Sequence, residues 1–243
     1  MKEIHINCDL GEGGDFDAEL MPLISACNIA CGGHAGNSVS ISRTIDLAIA
    51  NNVEIGAHPS YPDKENFGRK SLKLPDEDLI ASIIEQVKLV KKIAEEKGGK
   101  ISHVKPHGAL YNDAAKNKKT AEIVLDSLRQ IEGDFTLYAP YNSIISRLAK
   151  PEIKVVFEAF ADRNYNADLS LVYRSKPNAI IHQEEAVFKH VFQMFSEGKI
   201  RNGNESEINI KADTFCLHSD TKNSVQILSF LNKNLLDRNV KIR

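Results

Sequence analysis

Short apolar runs alternate along this chain with longer segments in which apolar residues recur every three or four positions. Ile4–Cys8, Ser25–Ala30, Val53–Ala57, Ile101–Lys105, Phe135–Ala139, Lys154–Glu158, Ala179–Ile181 and Thr214–Leu217 are short and rich in β-branched residues, which predicts strands. Helices are predicted between them at 38–51, 76–97, 117–130, 141–149, 184–196 and 222–238. The helix over 76–97 is the clearest. Pro75 pre-sets its first turn, and Asp76, Glu77 and Asp78 complement the positive end of its dipole. Leu79, Ile80, Ile83, Ile84, Val87, Val90 and Ile93 form one apolar face, and Gly98-Gly99 ends it. Repeated strand–helix alternation implies a parallel sheet covered by helices. Seven or eight such units fit a closed barrel better than an open sheet with a second domain. The expected fold is therefore α/β, a single (β/α)-barrel domain over residues 1–243. The polar stretch 198–213 reads as a surface excursion within it.

Composition narrows the function. Acidic residues number 33 and basic residues 31, a net charge of −2 that offers no basic field to nucleic acid or a membrane surface. With no Trp and 7% aromatic residues there is little material for base stacking. No apolar run approaches the ~20 residues of a membrane span, and the N-terminus turns polar too early for a signal peptide. A soluble cytoplasmic protein is expected. Cys8, Cys27, Cys31 and Cys216 form no Cys-x-x-Cys pair and read as buried, reduced, small apolar residues.

In a βα barrel, chemistry gathers at the C-terminal ends of the strands. Polar side chains cluster there. The first strand leads into Asn7, Asp9 and Glu12, and the second into Asn28 and His34. The third gives His58 and the loop carrying Arg69; the fourth gives Lys105 and His107. The sixth gives Glu158, Asp162 and Arg163, with Arg174 further on, and the last gives His218 and Asp220. A single histidine at a strand end is ordinarily a satisfied structural group. Four of them at four converging strand ends, beside Asp9 and Lys105, instead predict a polar active site. His5, His103, His182 and His190 lack that context and are assigned structural or surface roles.

Asp9, His34 and His58 come from successive strand ends and could form an Asp-His-His metal set. No His-Glu-x-x-His or His-x-x-x-His spacing supports this, so no metal is predicted on the chain. There is also no Gly-x-x-x-x-Gly-Lys-[Ser/Thr] loop, no Gly-x-Gly-x-x-Gly leading into a helix and no Gly-x-Ser-x-Gly elbow.

Several blocks resemble the LamB/YcsF family. They are Asn7-Cys8-Asp9-Leu10-Gly11-Glu12, Asn28-Ile29-Ala30-Cys31-Gly32 with His34-Ala35-Gly36, Gly56-Ala57-His58-Pro59 and Phe67-Gly68-Arg69. Lys105-Pro106-His107-Gly108-Ala109-Leu110-Tyr111-Asn112, Glu158-Ala159-Phe160-Ala161-Asp162-Arg163 and Cys216-Leu217-His218 continue the series in family order. Departures from the family pattern are Gly33 for Phe, Asn37 for Asp, Lys70 for Arg, Tyr173 for Pro and Ser219 for Gly.

The resemblance implies a seven-stranded barrel of the glycoside hydrolase/deacetylase type. It implies a hydrolase, the first component of an ATP-dependent 5-oxoprolinase, opening the lactam of 5-oxo-L-proline to L-glutamate alongside subunits B and C. ATP would be consumed by the complex, and without a phosphate loop here the partners would supply much of the phosphorylation. For such a reaction, residue chemistry makes Asp9 the leading general base, with His58 or His107 as alternates, and His107 the acid for the departing nitrogen. Lys105 and Arg163 would stabilise an oxyanion or phosphate, and Arg69 or Arg174 would hold the substrate carboxylate. Glu12, Asn28, His34, Glu158, Asp162 and His218 would complete or orient the site. Two rival readings are a stand-alone metal-dependent deacetylase or amidohydrolase acting on a small amide or sugar, and a non-catalytic binding subunit.

Overall fold

The computed structural model describes residues 1–149, 151–201 and 207–243. The chain opens with β1 (Lys2–Ile4) and β2 (Ile6–Leu10), split at His5 within the first predicted run. A short helix α1 (Asp17–Leu20) and a 3₁₀ turn (Met21–Leu23) lead to β3 (Ala26–Ala30), α2 (Ser38–Ala50), β4 (Glu54–His58) and α3 (Asp76–Glu96). Then come β5 (Ile101–Val104), α4 (Gly108–Lys116), α5 (Lys118–Arg129), β6 (Thr136–Pro140), α6 (Ile144–Leu148) and β7 (Val155–Phe160). The remainder is α7 (Glu184–Glu197), β8 (Lys199–Arg201), β9 (Glu207–Asn209), β10 (Thr214–His218), α8 (Ser224–Leu236) and β11 (Val240–Ile242).

Seven strands close into an all-parallel barrel in the order β10-β2-β3-β4-β5-β6-β7, with helices outside. The expected α/β barrel is what the chain forms. The predicted strand at Ala179–Ile181 is not part of it. β10 pairs directly with β7 (Thr214↔Glu158, Phe215↔Ala159), which leaves no gap for an eighth strand. That run instead lies in the segment after β7, where Ile180 bridges Arg163 antiparallel and Ile181 N–H donates to the Asp162 carbonyl. Within the polar stretch 198–213, β8 and β9 pair antiparallel; residues 202–206 lie outside the described residues.

Local chemistry explains where the helices begin and end. Asn37 caps α2 by accepting from the Val39 and Ser40 N–H groups. Since Asn caps as well as Asp, the departure at this position costs nothing structural. Pro75 occupies the residue just before α3 rather than its first turn. The apolar pattern does not predict helix α4, whose buried face is only Ala109, Leu110, Tyr111 and Ala114, too short to separate from the loop before it. Asn117 ends α4 and caps α5 through the Thr120 N–H. α6 begins later than predicted because the Ser143 hydroxyl accepts from Ser146 N–H and fixes its start.

The helices bury their apolar faces on the outside of the barrel, where Cys8, Cys27, Ile29 and Leu217 point. The inside is polar. Asn28 Nδ2 donates to Asn7 Oδ1 (2.7 Å), Asn7 Nδ2 donates to Thr214 Oγ1 (2.8 Å), and Thr214 Oγ1 contacts His5 Nδ1 (2.8 Å). On the other side His103 Nε2 donates to Asn28 Oδ1 (2.7 Å) and its ring stacks on Tyr138. Burial drives His103 down to about 3, so the ring is neutral. It fits because β4 has Gly56 opposite it: any Cβ there would overlap the imidazole. His5 and His103 thus have the structural roles expected of them, and His182 is exposed.

Candidate active site

The barrel interior ends in an ion cluster at the C-terminal ends of the strands. Lys105, one residue beyond β5, is 2% exposed and aims its ammonium across the barrel. Its Nζ donates to Asp9 Oδ1 (2.8 Å) from β2 and to Cys216 Sγ (3.0 Å) from β10, and pairs with Glu158 Oε1 (3.0 Å) from β7. Burial alone would weaken the ammonium, but Asp9, Cys216 and Glu158 together hold its pKa well above the usual lysine value. For Asp9 too, burial is outweighed: the neighbouring His58 and Lys105 keep its carboxyl well below the usual range. Asn28 Nδ2 also donates to Asp9 Oδ1 (2.7 Å), which ties this cluster to the amide chain beneath it.

Beside the ion cluster lies a histidine corner. His58 Nδ1 donates to the Lys105 carbonyl (2.7 Å), and its Nε2 lies 3.4 Å from Asp9 Oδ2. His107 Nε2 donates to the Phe67 carbonyl (3.0 Å), leaving Nδ1 facing His58 Nε2 at 2.9 Å. Glu12 Oε1 closes the group, 3.3 Å from His107 Nδ1, 3.9 Å from His58 Nε2 and 2.8 Å from His34 Nε2. The His34 and His107 rings stack with parallel planes, their centroids 3.6 Å apart. Burial lowers the pKa of both rings, His107 strongly with help from His58 and His34. Gly68, with φ of +60°, brings the Phe67 carbonyl loop close against His34 and His107.

The third part is the rim. His218 Nδ1 donates to Asp162 Oδ1 (2.9 Å), and the Thr221 hydroxyl and His218 N–H also donate to that carboxylate. Burial opposes its ionisation, but His218 and these hydrogen bonds draw Asp162 down to about 2. The His218 ring stacks on Phe160, and Lys105 lies 5.3 Å from the same ring. Arg69 (2.5 Å) and Arg174 (3.1 Å) share Asp220 Oδ2. Arg163 donates from Nη2 to the Val172 carbonyl (2.6 Å) and from Nε to the Ala179 carbonyl (3.3 Å). Burial and the neighbouring Arg174 bring its guanidinium down to about 10. These bonds shape the loop after β7 and leave guanidinium N–H groups at the cavity.

These parts surround one cavity of about 440 Å³, lined by Asp9, Glu12, His58, Arg69, Lys105, His107, Arg163, Arg174 and His218. The remaining residues singled out in the sequence stand directly behind it. Asn28 and Glu158 hold Asp9 and Lys105, His34 holds Glu12, and Asp162 holds His218. Sequence reasoning missed Cys216. All four cysteines are buried and free, as expected, but Cys216 is inward-facing and touches the Lys105 ammonium. Its position two residues before His218 on the same strand was the available signal. The Phe67 carbonyl was also missed, and no side-chain pattern could have revealed it.

A family model for the LamB/YcsF family matches residues 4–243. The chain belongs to the LamB/YcsF family. A Haemophilus influenzae (strain PittEE) relative, named as the A subunit of 5-oxoprolinase, is 40% identical over 243 residues, covering 100% of this chain and 99% of its own. A Vibrio cholerae relative of the same name is 40% identical over 235 residues, 94% of this chain and 96% of its own. The crystal structure of a lactam utilization protein from Thermus thermophilus superposes with a TM-score of 0.92 at 31% identity, covering 100% and 99% of the two chains. The peptidoglycan N-acetylglucosamine deacetylase Bc1960 shares the barrel alone, with a TM-score of 0.51 at 11% identity and coverage of 99% and 85%.

The departures from the LamB/YcsF pattern now have places. Lys70 and Tyr173 are exposed, and Tyr173 stands at the cavity rim. Gly33 is packed where no side chain fits: a Cβ there would overlap Gln86 Oε1 and Ser60 Oγ. Gln86, reaching in from α3, accepts from the Ser60 N–H and donates to the Ser60 carbonyl, both at 2.9 Å. It fills the space that a larger residue at position 33 would occupy. Ser219 uses its carbonyl to accept from the Ser224 hydroxyl at the start of α8, and nothing in the structure explains its side chain.

Proposed function

We propose that this chain is the A subunit of an ATP-dependent 5-oxoprolinase, binding 5-oxo-L-proline or its phosphorylated form and opening the lactam to L-glutamate. The observation that carries this reading is the full-length 40% identity to chains named as that component of 5-oxoprolinase. The cavity supports it, being small, lined by several charged and imidazole side chains and floored by a buried cation. Subunits B and C are the partners, and the setting is the cytoplasm, in keeping with four free cysteines. In the overall reaction the lactam C–N bond breaks, water adds to the carbonyl carbon, the ring nitrogen gains a proton, and ATP is hydrolysed to ADP and phosphate.

A five-membered lactam closes readily and is a poor electrophile, so its carbonyl oxygen must be activated before water attacks. Lys105, fixed between two carboxylates, is preorganised to face negative charge developing on that oxygen. Arg69 and Arg174 share a single carboxylate, which leaves guanidinium N–H groups for the substrate's own carboxylate. Asp9, with its basicity depressed and one oxygen already accepting two hydrogen bonds, suits holding Lys105 better than taking a proton. The geometry therefore favours the alternates: the His58–His107–Glu12 corner is where water is bound and loses its proton. His218, which lines the same cavity, would return a proton to the departing nitrogen.

The test is to follow glutamate and ADP release together by the purified chain, with and without its partners. We expect coupled release only in the mixture. Stoichiometric release of both by the chain alone would overturn the division of labour. The convergence of Glu12, His34, His58 and His107 favours one second reading, a metal-dependent amidohydrolase acting on small amides. Amide hydrolysis by the chain alone without ATP would select it.

A further inference from the structure

We propose that Glu12, His58 and His107 form a binding site for one divalent transition-metal ion of the zinc class. The argument begins with protons. A backbone carbonyl only accepts, so His58 Nδ1, on the Lys105 carbonyl, carries a hydrogen, and so does His107 Nε2, on the Phe67 carbonyl. In neutral imidazoles the other nitrogens are then bare, and these are the two atoms that face each other at 2.9 Å. Two lone pairs opposed at that distance repel unless a cation lies between them. Glu12 Oε1 adds a third lone-pair donor, 3.3 Å from one nitrogen and 3.9 Å from the other.

The three separations, 2.9, 3.3 and 3.9 Å, bracket the roughly 3.4 Å between neighbouring ligands around a tetrahedral ion with bonds of roughly 2.0–2.1 Å. A proton would serve the two nitrogens but leave the carboxylate unused. A metal uses all three and keeps a position open to the cavity they line. Outer contacts also match a metal site. Each histidine is locked in orientation by a backbone carbonyl, and His34 Nε2 holds the ligating carboxylate at 2.8 Å. Two imidazoles and a carboxylate are the donor set that suits zinc. The set differs from the Asp9, His34, His58 trio considered from the sequence. Glu12 takes the carboxylate position because Asp9 is engaged by Lys105 and Asn28, and His34 positions Glu12 without being a ligand.

The experiment uses the full chain, stripped with chelator and confirmed folded by circular dichroism, then titrated with zinc and, separately, with cobalt(II). We expect one equivalent bound and a visible cobalt spectrum of four-coordinate type that zinc abolishes. His107→Gln and Glu12→Gln should each weaken zinc binding about 10-fold or more. His34→Gln, acting only through Glu12, should weaken it less and leave the cobalt spectrum four-coordinate. Zinc binding far below one equivalent by the folded unmodified chain would overturn the site, as would unchanged affinity in folded His107→Gln. The inference does not depend on the substrate. Zinc bound with ATP-dependent glutamate release by the complex supports both readings. Zinc bound with ATP-independent amide hydrolysis keeps the site and removes the lactam reading, and no zinc removes the site whatever the turnover.

Discussion

Lys105 is a cation held away from water by three partners at 2.8 to 3.0 Å, and this sets what its replacement would do. Lys105→Met removes the charge and leaves Asp9 and Glu158 buried without it, which should cost about 3–5 kcal/mol of stability. The loss of turnover would then be confounded with loss of fold. Adding Glu158→Gln removes one stranded carboxylate and should return part of that stability, measured as the urea midpoint, while turnover in the assembled enzyme stays low. Recovery of turnover along with stability would limit Lys105 to a structural part. Asp162 gives a pH signature of its own. Its folded pKa of about 2 lies below the ordinary value of about 3.9, so its contribution is complete above pH ~4 and is lost as pH falls. Asp162→Asn should therefore cost about 2 kcal/mol at neutral pH, with the difference from the parent roughly halved by pH ~3. A difference that stays constant across that range would mean the carboxylate charge is not what His218 responds to.

At the level of elements, strand ends were legible and loops were not. Polar residues at or directly after the ends of the apolar runs, among them Asp9, His58, Lys105 and His218, marked those ends, and barrel closure brings them together. The run Ala179–Ile181 failed because three apolar residues satisfy the pattern of a strand as well as that of a loop packed on Arg163. The interlocked His58–His107 pair could not be read from sequence at all, since it depends on which carbonyl each ring meets. Gly33 shows the same dependence between elements. Its loop follows β3, but what excludes a side chain there is Gln86 of α3 together with Ser60 after β4. Gly33→Ala should cost about 1–3 kcal/mol through overpacking. The double variant with Gln86→Ala should lose less than the two single losses combined, which chemical denaturation would show. Strict additivity would mean that Ser60 alone enforces the glycine.

For the whole molecule, one barrel with a continuous buried core supplies the apolar burial that a chain needs to fold by itself. On the proposed function, partners would be needed for the chemistry and not for the fold. The purified chain should therefore unfold in a single cooperative transition, followed by circular dichroism, even where it turns nothing over. A second, low-stability transition removed by adding either partner would show that the partners also complete the fold.

The seam of the barrel sets the timing of that folding. Lys2–Ile4 pairs in parallel with Val240–Ile242, and β2 closes the barrel against β10. Strands made early in synthesis therefore await strands made late, and neither seam can form until β10 and β11 have emerged from the ribosome. Until then β2 presents an open edge, with Asp9 and its neighbours unpaired on that side. On the ribosome the chain would therefore carry the polar interior of its barrel open to water until its last strands arrive, the state in which a chaperone would be expected to shield it.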